Sequence, residues 1–121
     1  MADHRRERVE HLLRAELASL LQREARDPRL ATVTVSAVRM TADLRQARVF
    51  YRVLGDPADV APVQKGLDHA TPFLRARVAR SLGLRVTPTL RFEYDTTPDT
   101  ARRVDDLLRS ATPGSSEDEE T

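Results

Sequence analysis

The side chains able to do chemistry in this sequence are three histidines, a scatter of boundary carboxylates and a large set of arginines. The histidines do not suggest a metal site. His4 and His11 stand seven apart on one prospective helix, whereas paired helical ligands need an i, i+4 spacing, and neither an HExxH motif nor a cluster with His69 accompanies them. Asp3, Asp27, Asp43, Asp95 and Asp99 fall at element boundaries, where capping and turn formation are the ordinary use of a short carboxylate. Ser36, Ser81 and Ser110 have no base partner at sequence level. The glycines at 55, 66, 83 and 114 are isolated, so neither GxGxxG nor GxxxxGKS/T is present to cradle a phosphate. With no cysteine there is no disulfide framework and no thiolate metal site. The expectation is a protein that is not an enzyme and uses no metal and no cofactor.

The arginines are more informative. On the helix expected after Pro72, Leu74, Val78 and Leu82 form the inward stripe. At 100° per residue, Arg77 and Arg80 flank one side of that stripe and Arg75 the other. Ala76 and Ala79 lie on the outward ridge, leaving room for a phosphate backbone near the helix start, where free N–H groups and the positive dipole end favour an anion. Arg85 and Arg91 continue the set onto the following strand, beside Arg48, Phe50 and Arg52 of an earlier one. Arg5, Arg6 and Arg8 crowd the start of the first helix, where the macrodipole prefers acids. They read either as a phosphate-contacting arm or as a solvated helix end.

Nineteen of the twenty basic residues are arginine, with Lys65 the exception. Arginine suits bidentate phosphate contacts, although a GC-rich genome produces the same bias. The formal net charge is only +1, but four of the nineteen acids are Glu117, Asp118, Glu119 and Glu120. Fifteen acids against twenty bases remain on the rest, a balance that modestly favours an anionic partner.

These side chains need a scaffold, and 121 residues make one domain. Val9, Leu12, Leu13, Leu17, Leu20 and Leu21 follow helical spacing from an N-cap at Asp3 to about Arg23, and Asp27-Pro28 ends that element. Leu30–Met40 reads as a strand whose phase blurs at Ala37-Val38, the mark of a bulge. Thr41–Leu44 is a turn. Gln46–Leu54 is a second strand, with Ala47, Val49, Tyr51 and Val53 on one face, antiparallel to the first. A weaker helix over Ala58–Ala70 stops at a kink, Ala70-Thr71-Pro72, with Thr71 as N-cap and Pro72 as first residue of the next helix. Gly83 stops that helix, and Arg85–Tyr94 is a third strand with Val86, Leu90, Phe92 and Tyr94 inward, demoted toward an edge or bulge by Pro88. A last amphipathic helix runs from Thr97-Pro98 to about Ser110. The segment TPGSSEDEET has no apolar residue and is expected to be disordered. A crossover through helices makes the later strand pair parallel, so the sheet is mixed, with helices on one face in an α+β two-layer sandwich. No apolar run approaches the roughly 20 residues of a membrane span, and MADHRRERVEH has no signal-peptide core. The expectation is a soluble, cytoplasmic protein.

An ordered set of residues across about 105 positions resembles the ribosome-binding factor A family of small-subunit maturation factors. It comprises Arg8-Val9, Glu16-Leu17, Asp27-Pro28-Arg29-Leu30, Val33-Thr34-Val35, Asp43-Leu44, Ala47, Val49 and Tyr51. It continues through Phe73-Leu74-Arg75, Leu84-Arg85, Pro88-Thr89-Leu90-Arg91-Phe92, Tyr94-Asp95 and Leu107-Leu108. The resemblance implies a type II KH-like fold, a three-stranded mixed sheet in the order α-β-β-α-kink-α-β-α. It places a KH-like RNA-binding domain at residues 1–111 and an acidic tail at 112–121. Where KH domains clamp the backbone with a GxxG loop, this family has an Ala-x-Gly kink, and here Ala70-Thr71-Pro72 puts proline in place of the glycine. One backbone N–H is lost, so the kink is expected to aim the neighbouring arginines rather than grip phosphate. The resemblance further implies a monomeric, non-catalytic factor that binds the free small (30S) subunit and its 16S rRNA, assists late maturation and 5′-end processing, and supports growth in the cold. Arg75, Arg77, Arg80, Arg85, Arg91, Arg5, Arg6 and Arg8 are the expected RNA contacts. The alternative is a KH-like protein–protein module recruiting another assembly factor.

Overall fold

The structure, a computed structural model, describes residues 2–24, 26–55 and 57–97. The expected closing helix to Ser110 and the acidic tail lie outside these residues. Two helices, α1 (Ala2–Arg23) and α2 (Val60–Leu82), pack on one face of a sheet of β1 (Val33–Met40), β2 (Gln46–Val53) and β3 (Thr89–Tyr94). The strand order is β1-β2-β3, antiparallel between β1 and β2 and parallel between β2 and β3. The expected mixed sheet forms, with both described helices on one face.

Helix α1 carries Leu13, Leu17, Leu20 and Leu21 at no more than 1% exposure, one stripe at helical spacing. Each such leucine removed from water stabilises the fold by about 1.5–3 kcal/mol. On β2, Ala47, Val49 and Tyr51 are buried, while Arg48 is exposed and Phe50 half-buried. On β1 the buried set switches from Val33 and Val35 to Val38 and Met40. The register shows why: Val35 faces Tyr51 and Ala37 faces Phe50, so Ser36 is an extra residue and the pleat changes phase there. The bulge is fastened, because Ser36 Oγ donates to the Phe50 carbonyl at 3.2 Å and to Asp95 Oδ2 at 2.6 Å. Asp95 in turn accepts from the Thr97 amide at 2.9 Å, and its own amide donates to the Tyr51 carbonyl at 2.8 Å.

Several local expectations are corrected. Helix α1 already runs from Ala2, so Asp3 lies inside it and is not its N-cap. The helix ends at Arg23 as expected, and beyond it Asp27 caps a 3-10 turn, Pro28–Thr32, accepting the Arg29 amide at 3.0 Å. Leu30 therefore enters the core from that turn, and β1 starts at Val33. A second 3-10 turn, Pro57–Asp59, precedes α2. The third strand begins at Thr89 rather than Arg85, and Val86 is exposed. The largest correction concerns the kink. Helix α2 is continuous through Pro72, and Thr71 is interior to it, its Oγ1 donating to the Leu67 carbonyl at 2.8 Å. Packing overrides the local break: Val63, Leu67, Leu74 and Val78 hold a single helical phase across the proline, and all four are buried. Gly83 ends α2 as expected, in the left-handed region at φ 60°.

Two further contacts fix α2 on the sheet. Tyr51, its ring buried and edge-on to Tyr94, donates its hydroxyl to Gln64 Oε1. The Gln64 amide nitrogen donates to the Phe92 carbonyl at 2.9 Å. Burial, and then the nearby Asp68 carboxylate, push the Tyr51 hydroxyl above its ordinary pKa. At the other edge Gly66 meets the 3-10 turn closely. A Cβ there would stand 3.1 Å from Asp27 Oδ2 and 3.2 Å from Leu30 Cδ2.

Candidate nucleic-acid interface

The expected arginines are dispersed rather than gathered at one place. Arg75 is half-buried and faces inward. Its Nε donates to the Pro88 carbonyl at 2.9 Å and an Nη to the Thr87 carbonyl at 3.2 Å, tying α2 to the loop that leads into β3. Arg77 forks onto Glu24 at the end of α1, at 2.6 and 2.8 Å, and its guanidinium lies 5.5 Å from the centre of the Phe73 ring. Arg80, one turn on, is exposed. These three residues do not make one ridge.

Arg5 and Arg85 come together at a hollow of about 340 Å³ formed by the start of α1, the β1–β2 turn and the loop after Gly83. Val9, Met40 and Leu44 line it. Leu44 holds a positive φ of 62° in that turn, which Asp43 fixes by accepting the Thr41 hydroxyl at 2.6 Å and the Arg45 amide at 3.0 Å. The Thr41 hydroxyl, with the Arg45 amide, holds the Asp43 carboxyl below its ordinary pKa. Arg8 is exposed on α1, whereas Arg6 is buried at 8% exposure.

Arg91 is exposed on the sheet face that the two helices leave uncovered. It pairs in register with Arg48, which forks onto Glu93 at 2.9 Å through both nitrogens and sits 5.0 Å over the Phe50 ring. That clamp is the main reason the Glu93 carboxyl is held below its ordinary pKa.

Sequence reasoning missed a second cationic surface. A cleft of about 620 Å³ opens between the end of α1, the 3-10 turn and α2, lined by Arg26, Arg29, Lys65, His69, Phe73 and Leu74 among others. Its residues come from two stretches that only the tertiary fold brings together. One local signal was available. Phe73 lies off the Leu67–Leu74–Val78 stripe, so an aromatic ring had to stand outside the core, and it is 41% exposed.

Two helices on one face of a β1-β2-β3 mixed sheet, with the parallel pair made by a helical crossover, define an α+β domain of KH-like type. Where a GxxG loop would separate two helices, α2 runs on unbroken. The chain belongs to the ribosome-binding factor A family, whose profile matches residues 5–108. The ribosome-binding factor A of Saccharopolyspora erythraea is 53% identical over 95 residues, covering 78% of this chain and 57% of that protein. The chain thus spans little more than half the length of that relative. The crystal structure of ribosome-binding factor A from Thermus thermophilus is similar at a TM-score of 0.66 and 29% identity, over 74% of this chain and 94% of that one. Coordinates of the Thermus factor fitted into a cryo-electron microscopy map of a 30S complex are similar at a TM-score of 0.62 and 30% identity, over 74% and 96% of the two chains.

Proposed function

We propose that this protein is a non-catalytic assembly factor that binds the free small (30S) ribosomal subunit through its 16S rRNA. It promotes late maturation of that RNA, including processing of the 5′ end, and matters most in the cold. It works as a cytoplasmic monomer through one domain, residues 1–111. The observation that supports this reading most is family membership across residues 5–108, joined to similarity with a family member fitted into a 30S complex. Among the described helices none is long and apolar enough to cross a membrane.

The exposed arginines Arg5, Arg8, Arg80, Arg85 and Arg91 make the phosphate contacts in this reading, while Arg75 and Arg77 hold the surface in shape. Five such contacts, each releasing about 0.7–0.9 of a counterion, give a log–log salt slope of roughly −4. Sedimentation of the full chain with purified small subunits over a salt series checks this. The expected result is binding that weakens steeply with salt and whose slope shrinks when the five arginines become glutamine. Binding indifferent to salt would instead favour docking on a ribosomal protein.

A further inference from the structure

The cleft between the 3-10 turn and α2 combines an aromatic ring, an apolar floor and a cationic rim. Leu30, Ala70 and Leu74 form the floor. Phe73 lines the wall and is stiffened by a neighbour, since the Arg77 guanidinium 5.5 Å from its ring centre is itself locked by both oxygens of Glu24. The two carboxylates at the cleft are already engaged. Glu24 is held by Arg77 and Arg23, and Asp27 accepts Arg29 through Nε at 3.1 Å and an Nη at 2.9 Å. Arg29, with its side-chain and amide hydrogen bonds, keeps the Asp27 carboxyl below its ordinary pKa. Arg26, Lys65 and His69 remain exposed around the mouth.

A volume of about 620 Å³ falls within the range of roughly 300–1,000 Å³ typical of small-ligand sites. An unpaired nucleotide uses every part of it. Its base offers π-faces to the Phe73 ring and to the apolar floor, and its phosphate suits the cationic rim. A duplex phosphate backbone would leave the ring and floor unused, and an apolar peptide would leave the cations unused. We propose that this cleft seats one unpaired nucleotide of the RNA strand, with its base stacked on Phe73 and its phosphate held by Arg26 and Lys65. The inference rests on the assembly-factor reading and adds to it the form of RNA that is recognised.

The test uses the full chain and purified small subunits, with binding measured by sedimentation and ultraviolet crosslinks mapped by mass spectrometry. Phe73→Leu keeps apolar bulk but removes the ring, and Phe73→Trp restores a stacking surface. The expected result is a nucleotide adduct on Phe73, about a tenfold loss of affinity in Phe73→Leu, recovery in Phe73→Trp, and unchanged thermal midpoints. Wild-type binding with an unaffected Phe73→Leu variant would overturn the cleft proposal while leaving the assembly-factor reading intact. A Phe73 crosslink to a ribosomal protein would overturn it in favour of a peptide occupant. No subunit binding by the wild type would remove both.

Discussion

At the scale of single residues, identical side chains on one helix have different jobs because of what each can reach. Arg75 reaches two carbonyls, Arg77 reaches a carboxylate on another helix, and Arg80 reaches only solvent among the described residues. Only the last is free to contact a phosphate without giving up an internal bond. Hydrogen bonds from a charged group contribute about 1.5–3 kcal/mol. Arg75→Ala is therefore expected to lower unfolding free energy by about that much. Below the melting transition it should leave subunit affinity within about twofold, a change worth under ~0.5 kcal/mol. Arg80→Ala should do the reverse, weakening binding at unchanged stability. Denaturant unfolding beside the sedimentation assay separates the two. Loss of binding at full stability in Arg75→Ala would show that its guanidinium leaves the Thr87 and Pro88 carbonyls for the RNA.

At the scale of elements, α2 is the part on which most depends. It buries Val63, Leu67, Leu74 and Val78, receives the Tyr51–Gln64 link from the sheet, and forms one wall of the cleft. Pro72 withholds the N–H that the Asp68 carbonyl would accept, and its ring crowds that turn, a cost of about 3 kcal/mol in a helix interior. Part of that cost is expected to be recoverable. Pro72→Ala should raise stability by about 1–3 kcal/mol, measured by chemical denaturation. A loss of stability instead would show that the packing requires the proline's distortion. The stripes of α1 and β2 were legible because a fully apolar face leaves its period in the sequence. The break at Thr71-Pro72 was misread because a local rule outweighed a longer one: the spacing of Val63, Leu67, Leu74 and Val78 already carried one helical phase through it. The 3-10 turn was illegible for a similar reason. Leu30 alternates with its neighbours as a strand would, yet Asp27 caps a turn that delivers it to the core. The arginine surfaces were legible as composition and not as geometry, since pairing with Glu24 or with a carbonyl is decided by residues 12 to 53 positions away.

At the scale of the whole molecule, the sheet separates two kinds of surface among the described residues. The helical side carries the cleft and the Arg5–Arg85 hollow, and the opposite sheet face carries Arg91 beside the Arg48–Glu93 clamp. On the assembly-factor reading, the main RNA surface is the helical side, where cations, an exposed ring and engaged carboxylates coincide, and Arg91 adds one contact from β3. The most direct test of that claim is a crosslinking map of the full chain on precursor small subunits. Crosslinks to 16S rRNA are expected from the helical side, through Arg5, Arg8, residues 26–29, residues 65–80 and Arg85. Crosslinks confined to ribosomal proteins, or arising only from the sheet face around Phe50 and Arg91, would contradict it.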